Sequence, residues 1–299
     1  CLMTSFFSKK SLAIMALLEV SLFWGLCWVG YRQLHVFGMS GMAAGVSTSI
    51  VAAIVAGGIA WRALRQGGWR EVPWPILSLL MASSAISALG FTWGMVHGEV
   101  MRVMLLFYLM PVWTVILAHL ILKEKANWAG WLGVGLGLLG AALMLYDPDL
   151  GAPWPASAAE WAGLAAGMGS GVLNVLVKKT PHMRSDARSF FLSVGGVILG
   201  VSWLPFEIGP HLPRADSAGW AVAVMLVMGC LLLFTNRMYQ YGVRHLTSHQ
   251  VVVILPFELV VGVMSSWLIA GEVLSVRAWI GGALILSAGV VSAWWSDGH

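Results

Sequence analysis

Apolar runs about as long as a bilayer is thick recur along the whole chain, separated by short polar or proline-bearing breaks. A helix rises 1.5 Å per residue, so about 20 apolar residues cross a ~30 Å hydrocarbon core. Ten such runs are predicted to be transmembrane helices, over residues 11–31, 41–62, 74–97, 101–122, 127–146, 158–177, 189–207, 217–242, 248–270 and 277–296. The longer breaks, 62–74, 146–157, 178–188 and 207–217, carry Pro, Gly or charge as loops do, and none has room for an extramembrane domain. Lys9 and Lys10 ahead of the first run imitate a signal peptide, but the run continues to Val29 without a small-residue cleavage site, so it is expected to be the first span.

Composition agrees with a bilayer as solvent. Of 299 residues, 59% are hydrophobic and only 10% charged, against roughly a quarter charged in soluble domains. Seventeen Trp suit the membrane interfaces, and 35 Gly suit helices that must pack closely where lipid gives no hydrophobic push. The net charge of +4 does not suggest nucleic acid, because the basic residues lie between apolar runs and form no stripe with interleaved aromatics. They act instead as topology signals. With the amino terminus in the cytoplasm, Lys9, Lys10, Arg62, Arg65, Arg70, Lys123, Lys125, Lys178, Lys179, Arg184, Arg188 and Arg244 fall inside, and Arg32, Arg102, Arg214 and Arg277 outside. That asymmetry predicts both termini in the cytoplasm of a bacterial inner-membrane protein. Cys1 is terminal, and Cys27 and Cys230 lie in apolar runs, so neither a disulfide framework nor a thiolate metal site is expected.

A repeat emerges when the chain is laid over itself. A shift of 148 pairs Gly94 with Gly242, His97 with His245, Glu124 with Glu272, Trp131 with Trp279 and Gly133 with Gly281. In the first spans a shift of 146 pairs Gly25 with Gly171, Trp28 with Asn174 and Arg32 with Lys178. Five spans per half is an odd number, so the second half enters the membrane from the opposite side. The expected fold is an all-α membrane protein with ten transmembrane helices in two inverted five-helix repeats. Its units are a cytoplasmic segment at 1–10, a first repeat at 11–147, an extracytoplasmic linker at 148–157 and a second repeat at 158–296. Inverted repeats make two alternative gates around one site, which points to transport.

Phe23-Trp24-Gly25 in the first span, Gly94-Met95-Val96-His97 closing the third, and Tyr108-Leu109-Met110-Pro111-Val112 leading to Lys123-Glu124-Lys125 carry a family likeness. From about Ser11 to Trp295 the chain resembles the drug/metabolite transporter superfamily, its EamA-type members, and most of all the bacterial aromatic amino acid exporters. The family pattern implies a Pro thirteen residues before the Glu that ends the fourth helix, which Pro111 and Glu124 satisfy. In the second half the matching position is Leu259, and the proline stands earlier, as Pro256.

Prolines at 111 and 256 each remove a backbone hydrogen bond within a span, so both are candidate hinges. The bend at Pro111 turns Tyr108 and Met110 towards a central cavity. Trp24 and Trp28 share a helical face, and with Phe91, Trp93, Tyr108, Trp113 and Tyr239 they can wall a cavity for flat apolar side chains. The competing account is interface anchoring or packing. Ionisable groups within spans are few: Glu19, His119, Arg237 and Glu258. Glu258, nearest the midplane, is the candidate to meet a substrate ammonium or carry a proton, while Glu19 and His119 read as structural and Arg237 as snorkelling. Asn174 offers a donor and an acceptor at the depth of Trp28. Glu124, Glu272, His97 and His245 lie at span ends, where pairing with backbone or bases is the simpler reading.

Gly135-Leu136-Gly137-Leu138-Leu139-Gly140 mimics a dinucleotide fingerprint but follows no strand, so it reads as a helix-packing face. His245 and His249 have metal-ligand spacing without a third ligand, and no phosphate loop is present, so neither metal nor cofactor nor ATP-driven pumping is expected. The expected function is export of aromatic or hydrophobic amino acids and related metabolites by alternating access, not catalysis. The partners are the small-molecule substrate, the lipid bilayer and, if transport is coupled, protons. A broader drug or metabolite exporter is the alternative. An intramembrane lipid-modifying enzyme would want a compact His and carboxylate constellation, and the ionisable residues here are scattered.

Overall fold

The computed structural model describes residues 9–123, 128–146, 154–246, 254–255, 257–273 and 275–296. Their regular structure is helical, with no strand among the described residues. In chain order come α1 (Lys9–Val36), α2 (Gly41–Gln66), α3 (Trp74–His97), α4 (Val100–Phe107), α5 (Met110–Leu117), α6 (Trp128–Leu145), α7 (Ala158–Lys179), α8 (Ser185–Trp203), α9 (Ala218–His245), α10 (Phe257–Ser265) and α11 (Val276–Ser296). Among the described residues six stretches are long and apolar enough to cross a membrane: Lys9–Val36, Gly41–Gln66, Trp74–His97, Val100–Ile121, Ser185–Phe206 and Ala218–Gly242. Trp131–Leu145, Phe257–Ala270 and Val276–Ala288 are shorter apolar helices. Pro256, Glu124 and His249 lie outside the described residues.

Helix ends follow local chemistry. Ser40 caps α2 by accepting the Ala43 N–H at 3.2 Å, and Gly67 closes it with φ of 79°. Ser157 and Glu160 act reciprocally at the start of α7: the Ser157 hydroxyl accepts from the Glu160 N–H at 3.2 Å, and the Glu160 carboxylate accepts from the Ala156 N–H at 2.8 Å.

Helix α7 is rich in Gly and Ala, and the packing explains this. Gly163 and Gly167 lie against the carbonyls of Val103 and Phe107, where an added Cβ would stand 2.9 Å and 2.7 Å from those oxygens. Its neighbouring face meets α3 at Gly90 and Gly94. Small residues let backbones approach, which in lipid is the main source of helix association.

The predicted fourth span is not one continuous α-helix. Helix α4 ends at Phe107 and α5 begins at Met110, with Tyr108 and Leu109 at ψ near −1°. Pro111 offers no N–H to the Phe107 carbonyl, one turn back, and Gly167 brings α7 up to that same oxygen.

The halves pack on one another in a pattern that repeats. Helix α1 packs on α9 and α10, and its repeat counterpart α7 packs on α3 and on α4–α5. Helix α2 packs on α8, and α6 on α11, each against its own counterpart. The correspondence reaches single residues. A Cβ on Gly25 would lie 2.6 Å from Cβ of Val261, and one on Gly171 would lie 2.6 Å from Cβ of Trp113. Trp113 and Val261 are related by the 148-residue shift. The π-helical turns Ala118–Leu122 and Ser266–Ala270 share that register, and each runs into a left-handed residue, Lys123 at φ 56° and Gly271 at φ 69°. His97 and His245 each place Nδ1 2.9 Å from the carbonyl one turn earlier, that of Trp93 and of Tyr241. The interior is therefore that of a two-repeat membrane bundle.

Candidate functional site

Four aromatic rings run in sequence through the core where α1, α3 and the α4–α5 break meet. Trp24 meets Phe91 edge-on at 6.1 Å, Phe91 meets Phe107 at 4.8 Å, and Phe107 meets Tyr108 edge-on at 6.3 Å. The Tyr108 hydroxyl is buried and makes no hydrogen bond of ordinary geometry among the described residues, although the Glu258 carboxyl lies beside it. Glu258 also faces Cys27 and Tyr239 closely enough to interact electrostatically with both. Thus Trp24, Phe91, Tyr108, Tyr239 and Glu258, expected together from the sequence, form one cluster. Phe107 joins it without having been expected, because its place depends on where the helix breaks.

The other expected residues sit around this cluster. Trp28 is 2% exposed, donates from Nε1 to the Ser265 hydroxyl at 3.0 Å, and is covered by the Arg32 guanidinium at 5.0 Å. Ser265 in turn donates to the Gly25 carbonyl at 3.1 Å, so this network ties α1 to α10. Asn174 is exposed and donates from Nδ2 to the Thr114 hydroxyl at 3.3 Å, and Thr114 donates to the Met110 carbonyl at 2.8 Å. Trp113 presses against Gly171 and keeps a buried indole N–H without a partner among the described residues. Pro111 follows the α4–α5 break directly.

Glu19, also within a span, accepts from the Thr235 hydroxyl at 2.8 Å, while its second oxygen is buried without a partner among the described residues. The Ser21 hydroxyl on the same helix has the carbonyls of Leu17, Ile254 and Leu255 as alternative acceptors at 3.1, 3.3 and 3.4 Å. Ser21, Thr114, Thr235 and Ser265 have no sequence signal for these roles. Single hydroxyls in apolar runs are common, and their partners come from distant parts of the chain.

One end of the cluster is sealed. Arg32 donates to the carbonyls of Met95 and Gly98 at 3.0 and 2.7 Å and pairs with Glu272 at 3.1 Å. Glu272 accepts from the N–H groups of Val100 and Met101 at 3.0 and 3.2 Å. Positive charge thus closes the carboxyl end of α3 and negative charge the amino end of α4, in the sense the helix dipoles favour. Arg102 and Glu160 pair at 2.8 Å between α4 and α7. Glu207 accepts from Trp93 Nε1 at 2.9 Å and from the Ser40 hydroxyl, fastening the chain after α8 to the start of α2. Towards the other end exposure rises to 41% at Tyr239. The arrangement is a polar and aromatic cluster, closed by charged hydrogen bonds at the Arg32 end and bounded towards the other by the half-exposed Tyr239.

The chain is similar to known proteins in both sequence and fold. The model of the EamA-like transporter family matches twice, over residues 11–146 and 157–294. The chain is 27% identical to the uncharacterized transporter YoaV of Bacillus subtilis, over 72% of this chain and 73% of that one. It is 27% identical to a probable terminal-alkyne amino-acid exporter of Streptantibioticus cattleyicolor, over 92% of this chain and 91% of that one. An uncharacterized transporter of Pseudomonas aeruginosa is 30% identical over a shorter stretch, 40% of this chain and 37% of its own length. A solved crystal structure superposes with a TM-score of 0.61 at 16% identity, covering 96% of this chain and 99% of its own.

Proposed function

The chain belongs to the EamA-like transporter family, and from that premise we propose that it exports aromatic or other hydrophobic amino acids and related metabolites from the cytoplasm. In this reading ten spans form two oppositely inserted halves that rock about a shared site. The carrying observation is the cluster itself: a carboxyl, Glu258, held beside the Tyr108 phenol and a run of aromatic rings in an otherwise apolar interior, with a second phenol, Tyr239, within electrostatic reach. An amino acid with an aromatic side chain presents an ammonium to the first and a flat apolar face to the second. The kinship with a probable amino-acid exporter supports the same class.

The positive-inside pattern puts Tyr239, near Arg244, on the cytoplasmic side and Arg32 on the outer side. In this reading the Arg32–Glu272 pair closes the outer side of the cluster, as in an exporter awaiting cargo from the cytoplasm. Pro111 and Pro256 serve as hinges in this scheme. Met110 and Trp113 stand within one helical turn of the α4–α5 break, Asn174 reaches that helix through Thr114 and Trp28 reaches α10 through Ser265, and substrate contact at these four is part of the proposal.

Reconstituted vesicles loaded with labelled Phe or Trp test the reading. Efflux faster than from protein-free vesicles is expected, with competition by unlabelled aromatic amino acids. Efflux equal to that of empty vesicles would sink the substrate assignment. Strong competition by structurally unrelated cations would favour the broader drug or metabolite exporter.

A further inference from the structure

A cavity of about 880 Å³ lies between the carboxyl end of α2, the start of α8 and the last turns of α9. It is not part of the Glu258 cluster. At about 100° per residue, Tyr239 points some 160° away from both Arg237 and Tyr241, which line the cavity. Four guanidinium groups, those of Arg184, Arg188, Arg237 and Arg244, face a single carboxylate, Asp186. That carboxylate is loosely held, 3.6 Å from Arg237, and both side chains are largely exposed. Arg188 is anchored by Nη2 to the carbonyls of Thr180 and Met183 at 2.8 and 3.1 Å, and its Nε is buried without an acceptor among the described residues. Such an excess of positive charge calls for an anion.

The cavity's depth narrows the choice of anion. Its basic mouth lies at the helix ends, whereas Ala56, Ile59 and Leu233 line it deeper. Leu233 stands about 18 Å of helix from the end of α9 at His245. A soluble anion would need only the mouth. A charged rim with an apolar floor at membrane depth matches a molecule with a phosphate at one end and a hydrocarbon chain at the other.

We propose that this crevice holds the phosphate headgroup of an anionic lipid, with an acyl chain along its floor. The cytoplasmic leaflet follows from the orientation proposed above; the site itself does not depend on the transported solute.

Native mass spectrometry of the full chain, purified in detergent and exposed to phosphatidylglycerol or phosphatidylcholine, tests this. One phosphatidylglycerol should be retained in preference to phosphatidylcholine. The double variant Arg237→Gln, Arg244→Gln should bind it roughly thirtyfold more weakly, the combined effect of two arginines at a membrane surface. The matched variant Arg62→Gln, Arg65→Gln removes equal charge from the same face but not from the crevice, and should leave retention unchanged. Equal loss in both variants, or equal retention of the two lipids, overturns the site. Release of the lipid by millimolar inorganic phosphate overturns the lipid assignment in favour of a soluble anion. Because retention is read without transport, it can fail while amino acid efflux succeeds, and the reverse.

Discussion

Arg32 and Glu272 meet at 3.1 Å while each closes the end of a different helix, α3 for the arginine and α4 for the glutamate. The pair therefore joins the first half of the chain to the second through the turn at Gly98–Glu99. In the repeat its counterparts are Lys178 and Glu124.

Glu272→Gln keeps the shape but removes the charge that binds Arg32. A charge-assisted hydrogen bond is worth about 1.5–3 kcal/mol, enough to shift a two-state equilibrium roughly tenfold or more. In a variant whose other cysteines are replaced by Ser, Cys27 beside Glu258 reports on access from outside. A membrane-impermeant thiol reagent added externally should label Cys27 at least about fivefold faster in the Glu272→Gln protein. Identical labelling would show that the pair is not an outer latch.

Glu258→Gln tests the cluster's acid. The amide keeps the volume and can still meet Tyr108, but it cannot take up or release a proton or neutralise an ammonium. Efflux of labelled Phe is expected to fall about tenfold or more, and its response to a pH gradient to vanish, with folding unchanged by circular dichroism. Unchanged flux and an unchanged gradient response would remove Glu258 from the mechanism.

Gly140 and Gly281 bring α6 and α11 into backbone contact: a Cβ on either would lie 2.5 Å from the other's carbonyl oxygen. Gly135 on the same helix has nothing within 4 Å of such a Cβ. Gly140→Val should therefore destabilise the protein by about 1–3 kcal/mol or prevent its accumulation in the membrane, while Gly135→Val is close to neutral. Thermal unfolding in detergent compares the two directly. Equal midpoints would mean that the Gly140–Gly281 contact does not hold the helices together.

Much of this architecture was legible because the bilayer imposes length and the repeat imposes register. The shift that aligns Trp131 with Trp279 also aligns two π-helical turns and their left-handed residues, a correspondence no propensity scale contains. Glu258 was legible because a carboxyl in an apolar run is costly and rare. What a single sequence hides is azimuth and long-range partnership. Trp24 and Trp28 share a spacing that puts them on one face, yet Trp24 joins the aromatic run and Trp28 is drawn to Ser265, 237 positions away. The break at Tyr108 and Leu109 lies just ahead of Pro111, so Phe107 enters the cluster only once that geometry is known. Helix α7 falls short of the hydropathy of a lipid-facing span because its small residues serve packing instead.

Glu19 completes the set as a contrast to Glu258. It also lies within a span, but its acceptor is committed to the Thr235 hydroxyl at 2.8 Å, linking α1 to α9, and its other oxygen is buried without a partner among the described residues. Glu19→Gln keeps an acceptor for Thr235 in a side chain of the same shape. It also removes an ionisable group, costly to bury in hydrocarbon, so stability should hold or rise by about 1 kcal/mol. Transport and its response to a pH gradient should not change. Denaturation in detergent together with vesicle efflux reads both. A clear loss of gradient-driven flux in Glu19→Gln, with stability intact, would mean that the proton path runs through Glu19 and Thr235 and not through Glu258.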